Sequence, residues 1–334
     1  MPTAVAPAKL DQRVWAGLLT LYLVWGSTYL AVAVAVTTIP PFIMAGIRFG
    51  LAGLIVLAWS VARDGRSFVP PSRREWRDSA IVGTLLLSGG MGLAAFGELT
   101  VPSGITALLV ALMPAWIAVM SRVAFGERLP GLALIGIVAG FVGIAILATP
   151  SIVGGTGALE PVGLTAVMLS PIAWAAGAVF ASHRASLPSK PLVATGLQML
   201  IGGGVLLVMA AVTGEFGRLD LGAITARSVA AFVYLLVMGS LVAFTVFGWM
   251  IRKAPLPLVA TYAYVNPVIA VALGAILLGE PIDARTVVAA AVIVAGVALI
   301  VTARGRMTAP AQVRDEAPPR VVAPSARPQP SATD

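Results

Sequence analysis

Residues 101–127, VPSGITALLVALMPAWIAVMSRVAFGE, return in outline at residues 254–280 as APLPLVATYAYVNPVIAVALGAILLGE. An early proline, a central proline (Pro114 and Pro267) and a closing Gly-Glu pair each reappear 153 positions later. Repeats of this length in an apolar chain are typical of secondary transporters, in which the substrate site lies between the two halves. The sequence therefore predicts a fold built from two related halves.

The composition places the chain in a lipid bilayer. Apolar residues make up 59% of the 334 residues and charged residues only 11%, and the mean hydropathy is +0.97. A soluble domain has about 25% charged residues, so this chain cannot cover itself with a hydrated surface. The net charge of +8 does not indicate a nucleic-acid partner, because the basic residues lie between the apolar segments, where they set membrane orientation.

Ten apolar segments predict ten transmembrane helices, because each has near the roughly 20 residues that span a bilayer. They form a first five-helix repeat, residues 14–149, and a second, residues 162–303. Residues 1–13 are a cytoplasmic N-terminal segment, and residues 304–334, rich in Pro, Ala, Ser and Arg, are predicted to be a disordered cytoplasmic tail. The segments are residues 14–36, 41–62, 79–97, 102–121, 130–149, 162–182, 192–213, 229–250, 257–278 and 286–303.

The basic residues predict the orientation of this all-α, polytopic membrane protein. With both termini in the cytoplasm, 18 of the 22 lysines and arginines lie on the cytoplasmic side, three lie outside and Arg48 lies within a helix. This bias follows the positive-inside rule. Because each repeat has an odd number of helices, the second is predicted to be inverted relative to the first, as in alternating-access carriers. The expected location is the plasma membrane, which in a bacterium is the inner membrane.

A set of short motifs then indicates a family. The motifs are Trp25-Gly26-Ser27-Thr28-Tyr29, Pro40-Pro41, Gly46-Ile47-Arg48-Phe49, Val101-Pro102-Ser103-Gly104, Pro114, Gly126-Glu127, Tyr262-Ala263-Tyr264-Val265-Asn266-Pro267 and Gly279-Glu280. Together, over roughly residues 14–303, they resemble the EamA-type branch of the drug/metabolite transporter superfamily. The resemblance implies a ten-helix carrier with a central cavity that exports small metabolites or drugs, such as amino-acid-like or amphipathic solutes.

Arg48 is the first candidate for a substrate-binding residue. It lies about 10 Å into its predicted helix at 1.5 Å per residue. A charge at that depth costs at least a few kcal/mol unless it faces a cavity or finds a partner. The guanidinium either holds a substrate carboxylate, or it bonds to helix-end carbonyls or snorkels outward. Its counterpart in the second repeat is Gln198, which predicts a polar position in both halves.

Aromatic and amide side chains complete the predicted substrate site. Hydroxyl, amide and ring groups beside a central proline suit a pocket for a partly apolar metabolite. For the tryptophans, packing or an interfacial position is the competing interpretation. The predicted lining residues are Trp25, Tyr29, Trp174, Tyr262, Tyr264 and Asn266.

Five further residues are candidates for moving parts, charge coupling or helix caps. Pro114 and Pro267 each remove a backbone hydrogen bond in mid-helix, so they act either as hinges for gating or as fixed kinks. Glu98, at the outer end of the third helix, pairs with Arg48, binds a proton, or is a solvated helix-end carboxylate. Glu127 and Glu280 precede helices, where a carboxylate is favourable, so we interpret them first as helix caps and second as gating elements.

Other functional classes find little support. The chain has no G-x-x-x-x-G-K-[ST] motif for ATP, no cysteine, no H-E-x-x-H motif and no paired carboxylates inside the membrane, so we predict neither an enzyme nor a cofactor or metal. The predicted partners are a small-molecule substrate and membrane lipid. Glycine pairs such as Gly136-xxx-Gly140 favour internal helix packing, and hence a monomer, over a homodimer. A flippase for lipids or lipid-linked substrates is the alternative function, because it would share this fold.

Overall fold

The computed structural model describes residues 12–153, 159–254 and 256–308, and these residues form ten long helices. A single turn, Leu256–Val259, precedes α9, and a short helix, Glu215–Arg218, precedes α8. The helices are α1 (Gln12–Ala35), α2 (Pro41–Asp64), α3 (Arg73–Gly97), α4 (Ser103–Phe125), α5 (Gly131–Val153), α6 (Pro161–His183), α7 (Pro191–Val212), α8 (226–253), α9 (Tyr262–Leu278) and α10 (Ala284–Thr308).

The predicted all-helical membrane fold is confirmed. Within the described ranges, nine helices are long and apolar enough to cross a bilayer, and the tenth, α9, is a shorter apolar helix. Most boundaries lie within four residues of the prediction, and three differ by more: α9 begins at Tyr262 rather than at residue 257, and α3 and α10 are longer than predicted. α3 begins at Arg73 because the Ser72 side chain accepts a hydrogen bond from the Glu75 N–H and the Glu75 carboxylate accepts one from the Ser72 N–H, which caps the helix. α10 continues to Thr308, whereas residues 1–11 and 309–334 of the predicted terminal segments lie outside the described residues.

Equivalent helices of the two repeats pack against each other in antiparallel pairs. On α2 and α7, a Cβ placed at Gly53 would lie 2.8 Å from the Gly196 carbonyl oxygen, and one at Gly46 would lie 3.1 Å from that of Gly203. Since the later residue of α2 meets the earlier residue of α7, the two helices run in opposite directions. Glycine permits this close approach of the backbones. An antiparallel pairing of equivalent helices is the geometry of an inverted repeat.

The α5–α10 pair repeats this arrangement on another side of the bundle. A Cβ at Gly136 would lie 2.5 Å from the Gly296 carbonyl oxygen, while one at Gly143 would lie 3.2 Å from that of Ala289. The glycine pairs predicted to pack internally therefore join the two halves of one chain.

The connections between helices alternate between two ends of the bundle. At what we call the acidic end, which carries Glu98, Glu160, Glu215 and Glu280, a Glu215 carboxylate oxygen accepts a 2.9 Å hydrogen bond from the Ile43 N–H at the start of α2. At the opposite end, which we call the basic end, Lys190 Nζ lies 2.7 Å from an Asp64 carboxylate oxygen. The same end holds a 2.9 Å contact between His183 Nε2 and Glu127 Oε1.

Several helices are irregular at mid-length. α4 is interrupted by a turn at Ala111 and Leu112, and Pro114 lies in the first turn of its second segment, where a missing N–H is tolerated. Pro267 lies inside α9, and Pro171, which the sequence analysis did not consider, lies inside α6. α3 and α8 each contain a π-helical stretch, Thr84–Gly92 and Leu235–Val242, at matching places in the two repeats. Gating by the two predicted prolines stays a prediction.

Candidate functional site

The Arg48 side chain is buried where α1, α2 and α8 meet. Only 2% of the residue is exposed, and its Nε donates a 2.8 Å hydrogen bond to Ser240 Oγ in the π-helical stretch of α8. Its Cζ lies 4.7 Å from the centre of the Phe49 ring. The neighbouring Gly239 leaves room for the guanidinium, since a Cβ there would lie 3.0 Å from Arg48 Nη2 and 3.2 Å from the Thr28 methyl group.

This environment leaves most of the guanidinium free to bind another group. Among the described residues, Ser240 is the acceptor of an Arg48 hydrogen bond, and no carboxylate lies within ion-pair distance of Arg48. Burial argues against snorkelling, and the acceptor is a hydroxyl rather than a helix-end carbonyl. The terminal N–H groups form the planar fork that matches a carboxylate.

Gln198, the counterpart of Arg48, has a different role in packing. It is half-buried on α7, and a Cβ placed at Gly83 of α3 would lie 2.4 Å from its carbonyl oxygen. The backbone of Gln198 therefore lies in close contact with α3. Arg48 and Gln198 occupy equivalent positions in the two repeats, but in the second repeat this position makes a contact between helices.

An aromatic cluster lies beside the Arg48 site. The Trp25 ring centre is 4.9 Å from that of Tyr262, 5.3 Å from Phe247 and 5.6 Å from Phe244. Tyr29, one turn further along α1, is half-buried and close enough to Tyr262 for an electrostatic interaction. The structure thus brings together three predicted residues, and it adds two phenylalanines of α8 that the sequence analysis did not consider. Their spacing of three residues on one helix was an available signal.

The other predicted lining residues are distributed more widely. Asn266 is 7% exposed and its Oδ1 has no hydrogen-bond partner among the described residues. Tyr264 packs against a core cluster that contains Leu108. Trp174 lies over Gly90 of α3, where a Cβ would be 2.8 Å from its ring, and no ring contact within the described part of the chain joins it to the Trp25 cluster.

Glu280 caps a helix of the opposite repeat. Its carboxylate accepts hydrogen bonds from the Ser103 N–H and Oγ, both at 2.7 Å, and from the Gly104 N–H at 3.0 Å. A carboxylate is favourable at a helix N-terminus, where backbone N–H groups lack partners. The predicted capping role is therefore observed, but on α4 rather than on the helix that follows Glu280. Its counterpart Glu127 contacts His183 at the basic end.

Glu98 lies just beyond α3 at the acidic end, and it is buried rather than solvated. The residue is 8% exposed, and its Oε2 has no hydrogen-bond partner in the described residues. It lies within electrostatic range of Tyr29 and Glu280. The ion pairs found in the described ranges do not join it to Arg48, in contrast to one of the predicted alternatives.

A cleft that the sequence did not predict lies between α4 and α6, towards the basic end. Its volume is about 440 Å³, and its walls are almost entirely apolar, with Trp116, Met120 and Phe180 among them. Arg184 also contributes to the lining, with its Cζ 5.5 Å from the centre of the Phe125 ring.

Comparison with known proteins agrees with this architecture. The model of the EamA-like transporter family matches residues 14–149 and again residues 161–302. The chain is 37% identical over 285 residues to the inner membrane transporter YedA of Escherichia coli (strain K12), covering 85% of this chain and 89% of that one. It is 27% identical to the transporter YvbV of Bacillus subtilis (strain 168), over 84% and 89% of the two chains.

A solved crystal structure supports the fold alone. It matches with a TM-score of 0.59 at 21% sequence identity, over 90% of this chain and 100% of its own. The double match to one family model explains the repeat seen in the sequence and the antiparallel helix pairs seen in the structure. The chain is an integral membrane protein and belongs to the EamA-like transporter family.

Proposed function

We propose that this transporter exports small amphipathic metabolites or drugs that carry a carboxylate, by alternating access across the bacterial inner membrane. The observation that carries the proposal is the buried Arg48 guanidinium, which has a hydroxyl partner and no carboxylate partner among the described residues. A buried cation of this kind is costly unless a ligand compensates it. A solute carboxylate would supply two parallel charge-assisted hydrogen bonds.

The position of the aromatic cluster supports an amphipathic solute. Thr28, which approaches the Arg48 site, donates a hydrogen bond to the Trp25 carbonyl oxygen one turn earlier on α1. On α8, Phe244 lies four residues after Ser240, which is about 6 Å along a helix. An anion site and an apolar site separated by about one helical turn suit an amino-acid-like molecule, with its carboxylate at Arg48 and its side chain at the rings.

The fold supports alternating access as the mechanism. Inverted repeats can exchange conformations, so that a site between them opens first to one side of the membrane and then to the other. The excess of lysine and arginine on one set of connections favours both termini in the cytoplasm. The interrupted α4 and the proline in α9 lie where the two repeats meet, which suits a change of helix shape during transport.

A flux assay in proteoliposomes tests the proposal. Purified protein would be screened with labelled aromatic and aliphatic amino acids, their decarboxylated amines, and neutral amides. We expect transport of carboxylates and little transport of the matching amines. Arg48→Lys should weaken the apparent affinity, because it keeps the charge but loses the fork, and Arg48→Gln should weaken it further.

The controls separate a ligand from a structural arginine. Both variants must match the parent in yield and melting temperature, because a structural arginine would instead lower both. Normal solute affinity in a well-folded Arg48→Gln protein would remove Arg48 from the site and leave Asn266 as the next buried polar candidate.

The cleft between α4 and α6 gives a specific reason to test the flippase as a second candidate. Its apolar walls suit an acyl chain, and Arg184 at the basic end suits an anionic headgroup. Scrambling of a fluorescent phosphatidylglycerol in the same liposomes, without any flux of soluble solutes, would favour the flippase over the metabolite carrier.

A further inference from the structure

The buried carboxyl group of Glu98 has no role in the site described above. Glu98 is 8% exposed, and its Oε2 lacks a hydrogen-bond partner among the described residues. No lysine, arginine or histidine of the described chain lies within ion-pair distance of it. An ionised carboxylate in this situation would be strongly disfavoured, because it has lost water and gained no cation.

The carboxylate of Glu280 also disfavours ionisation of Glu98. Glu280 lies within electrostatic range, and its carboxylate is held at the start of α4 by three hydrogen-bond donors. Two neighbouring carboxyl groups rarely ionise together in a poorly solvated region. A proton on Glu98, whose Oε2 lacks a hydrogen-bond partner among the described residues, removes this repulsion.

The pKa of Glu98 follows from the same contacts. Burial raises this pKa well above its ordinary value, the negative charge of Glu280 raises it further, and the Ala33 backbone acts in the opposite direction. These contacts therefore favour the protonated form of Glu98 while the region around it is closed to water.

Tyr29 links this carboxyl group to the aromatic cluster. Tyr29 lies within electrostatic range of both Glu98 and Tyr262, and the Tyr262 ring contacts Trp25. Among the described residues, Tyr29 of α1 and Glu280 of the α9–α10 connection are the titratable groups with an electrostatic interaction with Glu98. The solvation of Glu98 would change if a solute moved the rings or if water entered at the acidic end. The proton affinity of Glu98 would change with it.

We infer that Glu98 is a proton-binding site that couples solute export to the movement of a proton in the opposite direction. The carboxyl O–H bond breaks when the site opens to the basic end and water from that side reaches Glu98, and this water takes the proton. The carboxylate takes a proton from water again when the acidic end opens. The inference rests on the proposed transport function, which it deepens by naming the energy source.

The proton can be detected without any solute. Dicyclohexylcarbodiimide adds to protonated carboxyl groups in apolar surroundings, and the labelled peptides can be identified by mass spectrometry. We expect labelling of Glu98 at pH 7, a progressive loss of labelling as the pH is raised, and no label at that position in Glu98→Gln. Glu160 is the matched control at the same end, because hydrogen bonds from the Gly163 and Val162 N–H groups lower its pKa and keep it ionised.

Coupling is measured with a carboxylate solute identified in the flux screen. In liposomes with the membrane potential clamped, exchange of one proton per solute lets a pH difference of one unit sustain an about tenfold solute gradient. The parent and Glu160→Gln should reach this accumulation. Glu98→Gln, which keeps the size of the side chain, should equilibrate the solute without accumulating it.

The labelling and accumulation experiments distinguish failure of the proton site from failure of the export function. Proton-driven accumulation by a folded Glu98→Gln protein, or no labelling of Glu98 at any pH, overturns the inference while the proposed export function stands. Absence of flux for every carboxylate tested overturns the export function and the coupling with it. Labelling alone then decides whether Glu98 holds a proton.

Discussion

Two adjacent glycines on α7 have different surroundings, and replacing each with alanine measures how closely the two repeats approach. A Cβ at Gly203 would lie 2.5 Å from the backbone nitrogen of Gly50 and 2.8 Å from the carbonyl oxygen of Gly46. A Cβ at Gly204 would meet no heavy atom of the described residues within 4 Å. Gly203→Ala is therefore expected to push α2 and α7 apart, whereas Gly204→Ala is not.

The size of the effect follows from the distances. Ordinary contact begins near 3.4 Å, so the shortest approach must lengthen by about 0.9 Å. Overpacking of a well-packed site costs about 1–3 kcal/mol, and a gap of about 0.5–1 Å removes roughly a quarter to a half of the dispersion energy of the separated atom pairs. Alanine gains up to about 1 kcal/mol over glycine in a helix. That gain applies to both variants and cancels in the comparison.

Equilibrium unfolding in mixed micelles with increasing sodium dodecyl sulfate, followed by tryptophan fluorescence, is the appropriate measurement. Gly203→Ala should have a free energy of unfolding about 1–3 kcal/mol lower than Gly204→Ala. Size-exclusion chromatography of both variants before unfolding controls for aggregation. If Gly203→Ala is as stable as Gly204→Ala, then α2 and α7 do not meet through their backbones, and the antiparallel pairing described above is incorrect.

Three further predictions concern other parts of the molecule. Pro267→Ala restores a backbone donor inside α9 and should slow transport in the flux assay without reducing yield; unchanged rates would make this proline a fixed kink. Glu280→Gln puts an amide donor in place of one of the two oxygens that accept from three donors and should lower stability by about 1–3 kcal/mol, more than Glu127→Gln at the equivalent position, with the melting temperature as the measurement. Reporter fusions after residue 334 and within 154–160 should report cytoplasm and exterior respectively, and signals from the same side would contradict the ten-helix topology.

The number and order of the helices were predictable because their signals are local. A run of about 20 apolar residues spans the bilayer as a helix, since a helix satisfies its own backbone hydrogen bonds there, whereas strands need only about 9–11 residues and must close into a barrel. The matched prolines and Gly-Glu pairs predicted that the chain is a duplicated repeat. The odd number of helices per repeat predicted that the second repeat is inverted relative to the first.

The partners of the polar residues were not predictable, because they depend on contacts between distant parts of the chain. Arg48 bonds to Ser240, which is 192 residues away, and Glu280 bonds to Ser103, which is 177 residues away. Sequence reasoning took Glu280 as a cap for the helix that follows it, and it could not foresee that the inverted repeat brings a helix of the other half to the same place. The burial of Glu98 likewise depends on neighbours from α1 and the α9–α10 connection.

The pairing of α2 with α7 also has a consequence for biosynthesis. α7 ends 148 residues after α2 (212 − 64), so at about 5–20 residues per second a ribosome needs roughly 7–30 s to deliver the partner helix. During that interval the glycine face of α2 is without the backbone that later covers it. A second nascent chain inserted nearby could offer its own α7 first, because the complementary face is identical. Dense polysome loading should therefore favour dimers in which halves have been exchanged between copies.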